Sequence, residues 1–294
     1  MHITHRQLVN KTSTLLSTIQ WLQEIKILPE SKTCINCVNQ PLRLVSYKKT
    51  YRWKCTKCSS ACSIFENTIF FNTKLEITRL LDLVYFWSMD QNQTKVKHEI
   101  ECNAQKTVCD WFKKLQKLSY IVMRDESSSK IGGTGHIVEI DESLFSKRKY
   151  NVGRVPRSPW VVGGIDLETK ECFFVEVTHR NADTLKYIIL EKVEPGSLII
   201  TDEWRGYWGL EELGYHHITV NHSENFICPL TGANTQLIEN TWGWMKRKIR
   251  ARGLKNNGDL TLIFAEFLFK KRYKDNAFYK ILNCLCNSAE RINF

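Results

Sequence analysis

Cys34 and Cys37, then Cys55 and Cys58, form two Cys-x-x-Cys pairs seventeen residues apart. Thiolates at that doubled spacing can close tetrahedrally around one Zn2+. Leu42, Leu44, Tyr51 and Trp53 alternate between the pairs, which predicts short β-strands joining two metal knuckles. So small a segment has little core of its own, and the ion would supply much of its stability. The chain carries 11 cysteines; an odd count with four in tight pairs points to metal rather than to a disulfide framework. Cys62 lies close by, as a bystander or a substitute ligand.

A second set of residues could do phosphoryl chemistry. Asp141 closes the apolar run HIVEI, Asp202 closes SLII ahead of EWRGYW, and Glu239 stands early on a helix expected to start near Thr235. Reactive groups in α/β folds collect at strand ends and adjacent helix termini. Three carboxylates gathered there repel one another unless cations sit among them. Hard oxygen ligands suit Mg2+ or Mn2+, and a pair of such ions is the device of in-line phosphoryl displacement. Spacing alone does not select these three from 31 acidic residues. Glu139 shares a strand face with Asp141 by two-residue alternation. Glu142, Asp166 and Glu203 lie near as well, with a plain reading as solvated turn or strand-edge charges.

The stretch IENTWGWMKRKIR adds a helical phase. Ile238, Trp242, Met245 and Ile249 form one apolar stripe, and Glu239, Gly243, Lys246 and Arg250 form the next. A carboxylate at the edge of a buried face, followed by cations, suits a phosphate backbone passing a metal site. Lys147, Arg148 and Lys149, with Lys246, Arg247, Lys248 and Arg250, are the candidate DNA-phosphate contacts; their plain reading is a solvated surface or an import signal. The net charge of +11 makes a polyanion the first partner to test. No stretch reaches the ~20 apolar residues of a membrane span, and the first twenty residues lack a signal-peptide core. The expectation is a soluble, intracellular protein.

These groups need elements to position them. Residues 5–27 have near-helical apolar spacing and predict one amphipathic helix ending before Pro29. The expected organisation is an N-terminal helix (1–30), a zinc ribbon (31–72), a helix-turn-helix-like region (73–123), a linker (124–135), a catalytic domain (136–258) and C-terminal helices (259–294). In the helix-turn-helix-like region, TKVKHEI and QKTVCDWFKKLQKL flank an ECNA corner. Val108, Trp111, Phe112, Leu115 and Leu118 would form the buried stripe, with Lys106, Lys113, Lys114 and Lys117 outward. Ser- and Gly-rich RDESSSKIGGTG reads as the linker. Beyond it the order strand, hairpin around Asp166–Lys170, helix, strand, helix end with short strand, then helix predicts an α/β mixed sheet with helices on its faces.

EIDESLFSKRKYNVGR, PWVVGGID, LIITDEWRGY and VNHSENFICPLTGANTQLIENTWGWMKRK, in that order over roughly residues 130–255, resemble the Merlin-type DDE transposases, eukaryotic relatives of a bacterial insertion-sequence group with an ISXO2-like transposase domain. The resemblance implies an RNase H-like catalytic domain with a carboxylate triad, carried onto Asp141, Asp202 and Glu239. It thereby prefers Asp141 to Glu139. His222 and Asn234–Thr235 belong to the same pattern as supports. Cys228-Pro229 stands where the pattern has Asp-Pro, and Asn234 where it has His; neither is a triad position. The function so implied is a nuclear, Mg2+-dependent DNA transposase, oligomeric on double-stranded DNA, that cuts element ends at terminal inverted repeats and joins the 3′-hydroxyl to target. Its rivals are a domesticated, non-enzymatic DNA-binding derivative and a plain structure-specific nuclease.

Overall fold

A computed structural model describes residues 2–37, 39–48, 50–68, 70–71, 73–126, 130–145, 160–220, 235–251 and 260–287. They divide into two compact units: Met1–Ser119 with Tyr273–Phe294, and Tyr120–Arg272.

The first unit opens with two helices where the apolar spacing predicted one, α1 (His5–Lys11) and α2 (Leu15–Glu24). Thr14 breaks the run. Its backbone is extended, its hydroxyl accepts the Ser17 N–H, and the Ser17 hydroxyl accepts the Thr14 N–H in return. A capping box satisfies orphan donors that a continuous helix would have used internally, so a new helix starts there. The ribbon follows as β1 (Leu42–Tyr47), β2 (Thr50–Cys55) and a short β3 (Ala61–Ser63), antiparallel in that order. The first hairpin runs in register from Leu42–Cys55 to Tyr47–Thr50, which brings Cys55 back towards the first knuckle.

Next, α3 (Ile77–Ser88) buries Leu80, Leu81, Leu83, Val84 and Trp87, apolar almost all round. It is surrounded by α1, α2, α4 (Gln93–Glu99) and the C-terminal helix Ala277–Asn287. The second helix of the expected pair is α5 (Gln105–Glu126). Its predicted stripe of Val108, Trp111, Phe112, Leu115 and Leu118 is buried, while Lys106, Lys113 and Lys117 are exposed and Lys114 lies against the Trp111 ring.

The second unit is a five-stranded sheet in the order β10-β9-β5-β6-β7. Strands β5 (Ile137–Leu144), β6 (Trp160–Asp166) and β7 (Cys172–Val177) form an antiparallel meander. Helix α6 (Ala182–Lys192) then crosses over to β9 (Leu198–Asp202), parallel to β5, and β10 (His216–Val220) pairs parallel to β9. Between them lies a two-residue strand pair, β4 (Ile131–Gly132) with β8 (Val193–Glu194). Residues 130–135, expected as linker, therefore carry structure: Ile131 is buried, and the Gly133 N–H donates to the Ser197 hydroxyl. A Cβ on Gly132 would stand 2.4 Å from that hydroxyl oxygen, so the glycine reads as close approach rather than flexibility.

Alternation along the strands divides the core. Val138, Ile140, Val162 and Ile199 face α6 with Leu185, Ile188 and Ile189. Val161 and Ile165 face the other way, with Ile238, Trp242 and Met245 of α7 (Gln236–Ala251) and Leu260 and Phe264 of α8 (Leu260–Tyr273). Among the described residues no helix is long and apolar enough to cross a membrane.

Candidate carboxylate edge and thiol cluster

Glu139 and Asp141 stand on the α7 face of β5, as the two-residue alternation requires. The parallel ladder pairs Ile137 with Leu198, Val138 with Ile199 and Glu139 with Ile200. Extending that register by two residues sets Asp141 level with Asp202 on the same face of adjacent strands, about 5 Å apart between backbones. The Asp202 carboxylate accepts the Trp204 N–H at 3.0 Å.

Asp141 Oδ2 accepts the indole Nε1–H of Trp242 at 3.0 Å. Directly across the ladder from Asp141 is Gly163, where a Cβ would fall 2.4 Å from the Trp242 ring. The glycine makes room for the indole that orients the aspartate, and the stripe residue Trp242 is thus also a hydrogen-bond donor to the site. Burial pushes the Asp141 carboxyl up to about 6, and the charges of Asp202 and Glu239 push the same way against hydrogen bonds from the Glu142 N–H and Trp242. Mutual repulsion of this kind is what a bound cation relieves. Glu239 lies at the exposed edge of α7, its Oε1 accepting the Thr235 hydroxyl at 2.8 Å. The two aspartates fit a divalent ion by donor type and register, and Glu239 stands within electrostatic reach of Asp141. Among the described residues, however, the carboxylates do not draw their oxygens together as the thiols do.

Glu139 has another task. It is 1% exposed, and its Oε2 accepts the Ile238 N–H at 2.8 Å, while the nearby Leu237 N–H also favours its charge. A buried carboxylate thus caps the N-terminus of α7, where orphan N–H groups and the helix dipole favour negative charge. It ties the helix carrying Glu239 to the strand carrying Asp141. Glu139→Ala is expected to lower the unfolding free energy by about 1–3 kcal/mol, because the buried Ile238 N–H loses its acceptor. Glu139→Gln, which keeps one acceptor oxygen, should lose less. Chemical denaturation of the three proteins measures the difference.

The neighbouring acids separate too. Glu142 is not a solvated edge charge: its Oε1 is buried beside the buried Tyr207 hydroxyl, neither has a hydrogen bond of normal geometry, and burial pushes the carboxyl up to about 7. Asp166 is buried, and although burial opposes ionisation, the N–H groups of Glu168 and Thr169 and the His136 ring hold its pKa down. It organises the β6–β7 turn. Glu203 is exposed.

The cations on α7 do not form one surface. Arg247 and Arg250 are exposed, and Lys246 Nζ lies 5.6 Å from the Phe145 ring centre. Lys248 turns inward: its side chain is 10% exposed, 3.9 Å from the fully buried Glu266 and over the Trp244 ring, and Lys270 pairs with the same carboxylate at 2.6 Å. Lys248 therefore ties α7 to α8, in contrast to the phosphate contact expected from its place in the basic run. Lys147, Arg148, Lys149, His222, Asn234 and the Cys228-Pro229 pair lie outside the described residues.

In the first unit, one sulfur each of Cys34, Cys37, Cys55 and Cys58 lie within 4.8 Å of one another. Hydrogen bonding from Ser60 draws the Cys58 thiol down to about 6, while the neighbouring Cys58 sulfur and burial push Cys37 up to about 12. Four sulfurs sharing protons so unevenly are a cluster in which one divalent cation can replace them, and the set is compatible with Zn2+. Cys62 stands apart, 3.4 Å from Lys32 Nζ, which pairs with Glu66.

The second unit is thus a mixed α/β sheet with Asp141 inside β5, Asp202 at the end of the parallel strand β9 and Glu239 on the helix packed over the sheet. Residues 131–254 match the family model of the ISXO2-like transposase domain, which supports a DDE transposase family for this part of the chain. An uncharacterized transposase-like protein of Haemophilus influenzae is 35% identical over 78 residues, covering 26% of this chain and 62% of the relative's length. Solved structures similar to this chain include a simian T-cell lymphotropic virus intasome in complex with PP2A regulatory subunit B56 gamma (14% identity, 64% of this chain and 65% of that one, TM-score 0.34). A Mos1 transposase paired-end complex with the left transposon end is another (10% identity, 72% and 76%, TM-score 0.31). TM-scores this low do not define a shared fold.

Proposed function

We propose that this chain is a DNA transposase whose second unit is an RNase H-like domain, with Asp141, Asp202 and Glu239 as the ligands of catalytic Mg2+. The single observation that carries the reading is the register of β5 and β9, whose continuation two residues past the Glu139–Ile200 pair would level Asp141 with Asp202 inside the segment matched by the transposase family. The sheet order, a three-stranded meander followed by two parallel strands on its far side, supports the RNase H-like assignment. When bound, a pair of divalent ions supplies activation of an attacking oxygen and charge neutralisation at the leaving one.

The chain's own residues do the rest. Trp242 fixes the orientation of Asp141 by its indole N–H, and the Trp204 N–H does the same for Asp202. Glu139 holds the start of α7 against β5, and so sets where Glu239 stands. Arg247 and Arg250, exposed on the same helix, would meet DNA phosphates, as would the helix-turn-helix-like pair α4–α5 through its exposed lysines. Positioning and electrostatics carry the catalysis without a covalent protein–DNA intermediate.

Incubation of the purified full chain with supercoiled plasmid and Mg2+ tests the reading. The parent should nick or linearise the DNA, and Asp202→Asn should bind it equally well without cutting. Equal cleavage by both proteins would remove Asp202 from the chemistry and this function with it.

A further inference from the structure

Arg180 follows β7 and precedes α6, at the sheet edge where β5, β7 and β9 also end. Its guanidinium carbon lies 3.9 Å from the Trp160 ring centre and 4.9 Å from the Trp204 ring centre. Trp160 begins β6 opposite Leu144 and Val177, and Trp204 is the residue whose N–H holds Asp202. The arginine is nonetheless exposed; among the described residues no hydrogen bond or salt bridge of normal geometry takes up its N–H groups, although its charge favours ionisation of the nearby Glu142. An exposed arginine normally wanders among rotamers; this one is held by two indole faces with its N–H donors left over. Indoles attract the cation through their faces, and a guanidinium gripped that way has only its edge to offer. That edge is a planar fork that matches two oxygens of a phosphate.

We propose that the Trp160–Arg180–Trp204 stack is a preorganised phosphodiester receptor that grips the DNA strand beside the carboxylate edge. Two features of the surroundings choose the ligand. The stack adjoins Asp202 through the backbone of Trp204, so an anion it holds lies next to the proposed catalytic edge. The chain's excess of 11 positive charges favours a polyanion over an isolated acid. Carboxylates at the same edge repel phosphate, and a cation fixed in advance offsets that repulsion without the ordering cost of a free side chain. Neither basic run singled out in the sequence contains this residue; it is a lone arginine in THRN.

The proposal rests on the transposase reading of the same edge, and the test keeps the two apart. Binding of a fluorescein-labelled DNA duplex to the full chain is followed by anisotropy over a salt series without Mg2+, and cleavage is followed separately with Mg2+. Arg180→Ala should reduce the slope of log affinity against log salt by about 0.9, the loss of one phosphate contact. Arg180→Lys should keep the slope yet bind roughly three- to fivefold more weakly, because an ammonium lacks the stacked fork. A slope equal to the parent's in Arg180→Ala overturns the proposal whether or not the parent cuts DNA. A reduced slope in Arg180→Ala, alongside a parent that never cuts, upholds the phosphate contact while the transposase reading falls. Should Arg180→Ala fail to unfold cooperatively, the lysine variant decides: affinity equal to the parent's overturns the stacked fork, and weaker binding on an unchanged slope upholds it.

Discussion

Replacement of Asp141 by asparagine is expected to abolish Mg2+-dependent DNA cleavage and, in the metal-free protein, to raise stability. The first effect follows from its proposed role as a metal ligand. Loss of residues that merely orient ligands costs about 10–100-fold, so loss of a ligand should reduce the cleavage rate on the order of 1,000-fold or more. The second follows from its surroundings. Burial first, then the charges of Asp202 and Glu239, push the Asp141 carboxyl up to about 6 in the fold, well above its ordinary value of 3.8. A carboxylate whose folded pKa is raised costs nothing below its unfolded pKa, where both states are protonated. The cost grows as pH rises through the interval between the two values and is complete above about 6. At about pH 8 the charge therefore burdens the metal-free fold by roughly 3 kcal/mol, of which asparagine should recover about 1–3. Asparagine keeps an oxygen to accept the Trp242 N–H, so the geometry need not collapse. Urea denaturation at about pH 8 and again below about pH 4 measures the gain and its disappearance. A variant as unstable as, or less stable than, the parent at both pH values would show that the aspartate's burial is compensated in the fold. Stability bought by losing a charge at the site is the trade-off characteristic of functional residues.

Removal of the metal from the thiol cluster is expected to unfold the ribbon. Its three strands are short, and β1 offers largely half-exposed residues, so apolar burial alone is too small to hold them. Binding free energy at such a site is folding free energy, with apparent values of about 10–16 kcal/mol for small structural zinc domains. The purified chain should therefore carry about one Zn2+. A strong chelator should remove it, the freed thiolates should take up protons, and amide protection across β1–β3 should disappear. Cys55→Ser should do the same without chelator, whereas Cys62→Ser should leave metal content unchanged, because Cys62 turns to Lys32 rather than to the cluster. Full protection of β1–β3 after complete chelation would show that the ribbon stands without an ion.

Much of this molecule was legible in its sequence because local rules govern those parts. Two Cys-x-x-Cys pairs around a hairpin-length spacer specify a four-thiol cluster whatever surrounds them, and the four sulfurs do converge. The stripe on α5 is buried as its helical spacing predicts, and the strands of the second unit fall on the apolar runs that announce them. Thr14 shows the limit: a hydroxyl that reciprocates with Ser17 ends one helix and starts another, a competition that apolar spacing does not register. By itself the sequence determined which residue types were available and on which elements they ride, since period and turn chemistry act over a few residues. The tertiary structure alone decided what each one does. Glu139 and Asp141 share a face and a charge, yet one caps the N-terminus of α7 and the other accepts the Trp242 indole N–H, a difference set by where the helix docks. Lys248 leaves its basic run for Glu266, and Arg180, isolated in sequence, is gripped by indoles from two other strands' ends. Charge and period are properties of neighbours along the chain. Burial, register and partners are properties of neighbours in space, and those divide identical side chains into supports and sites.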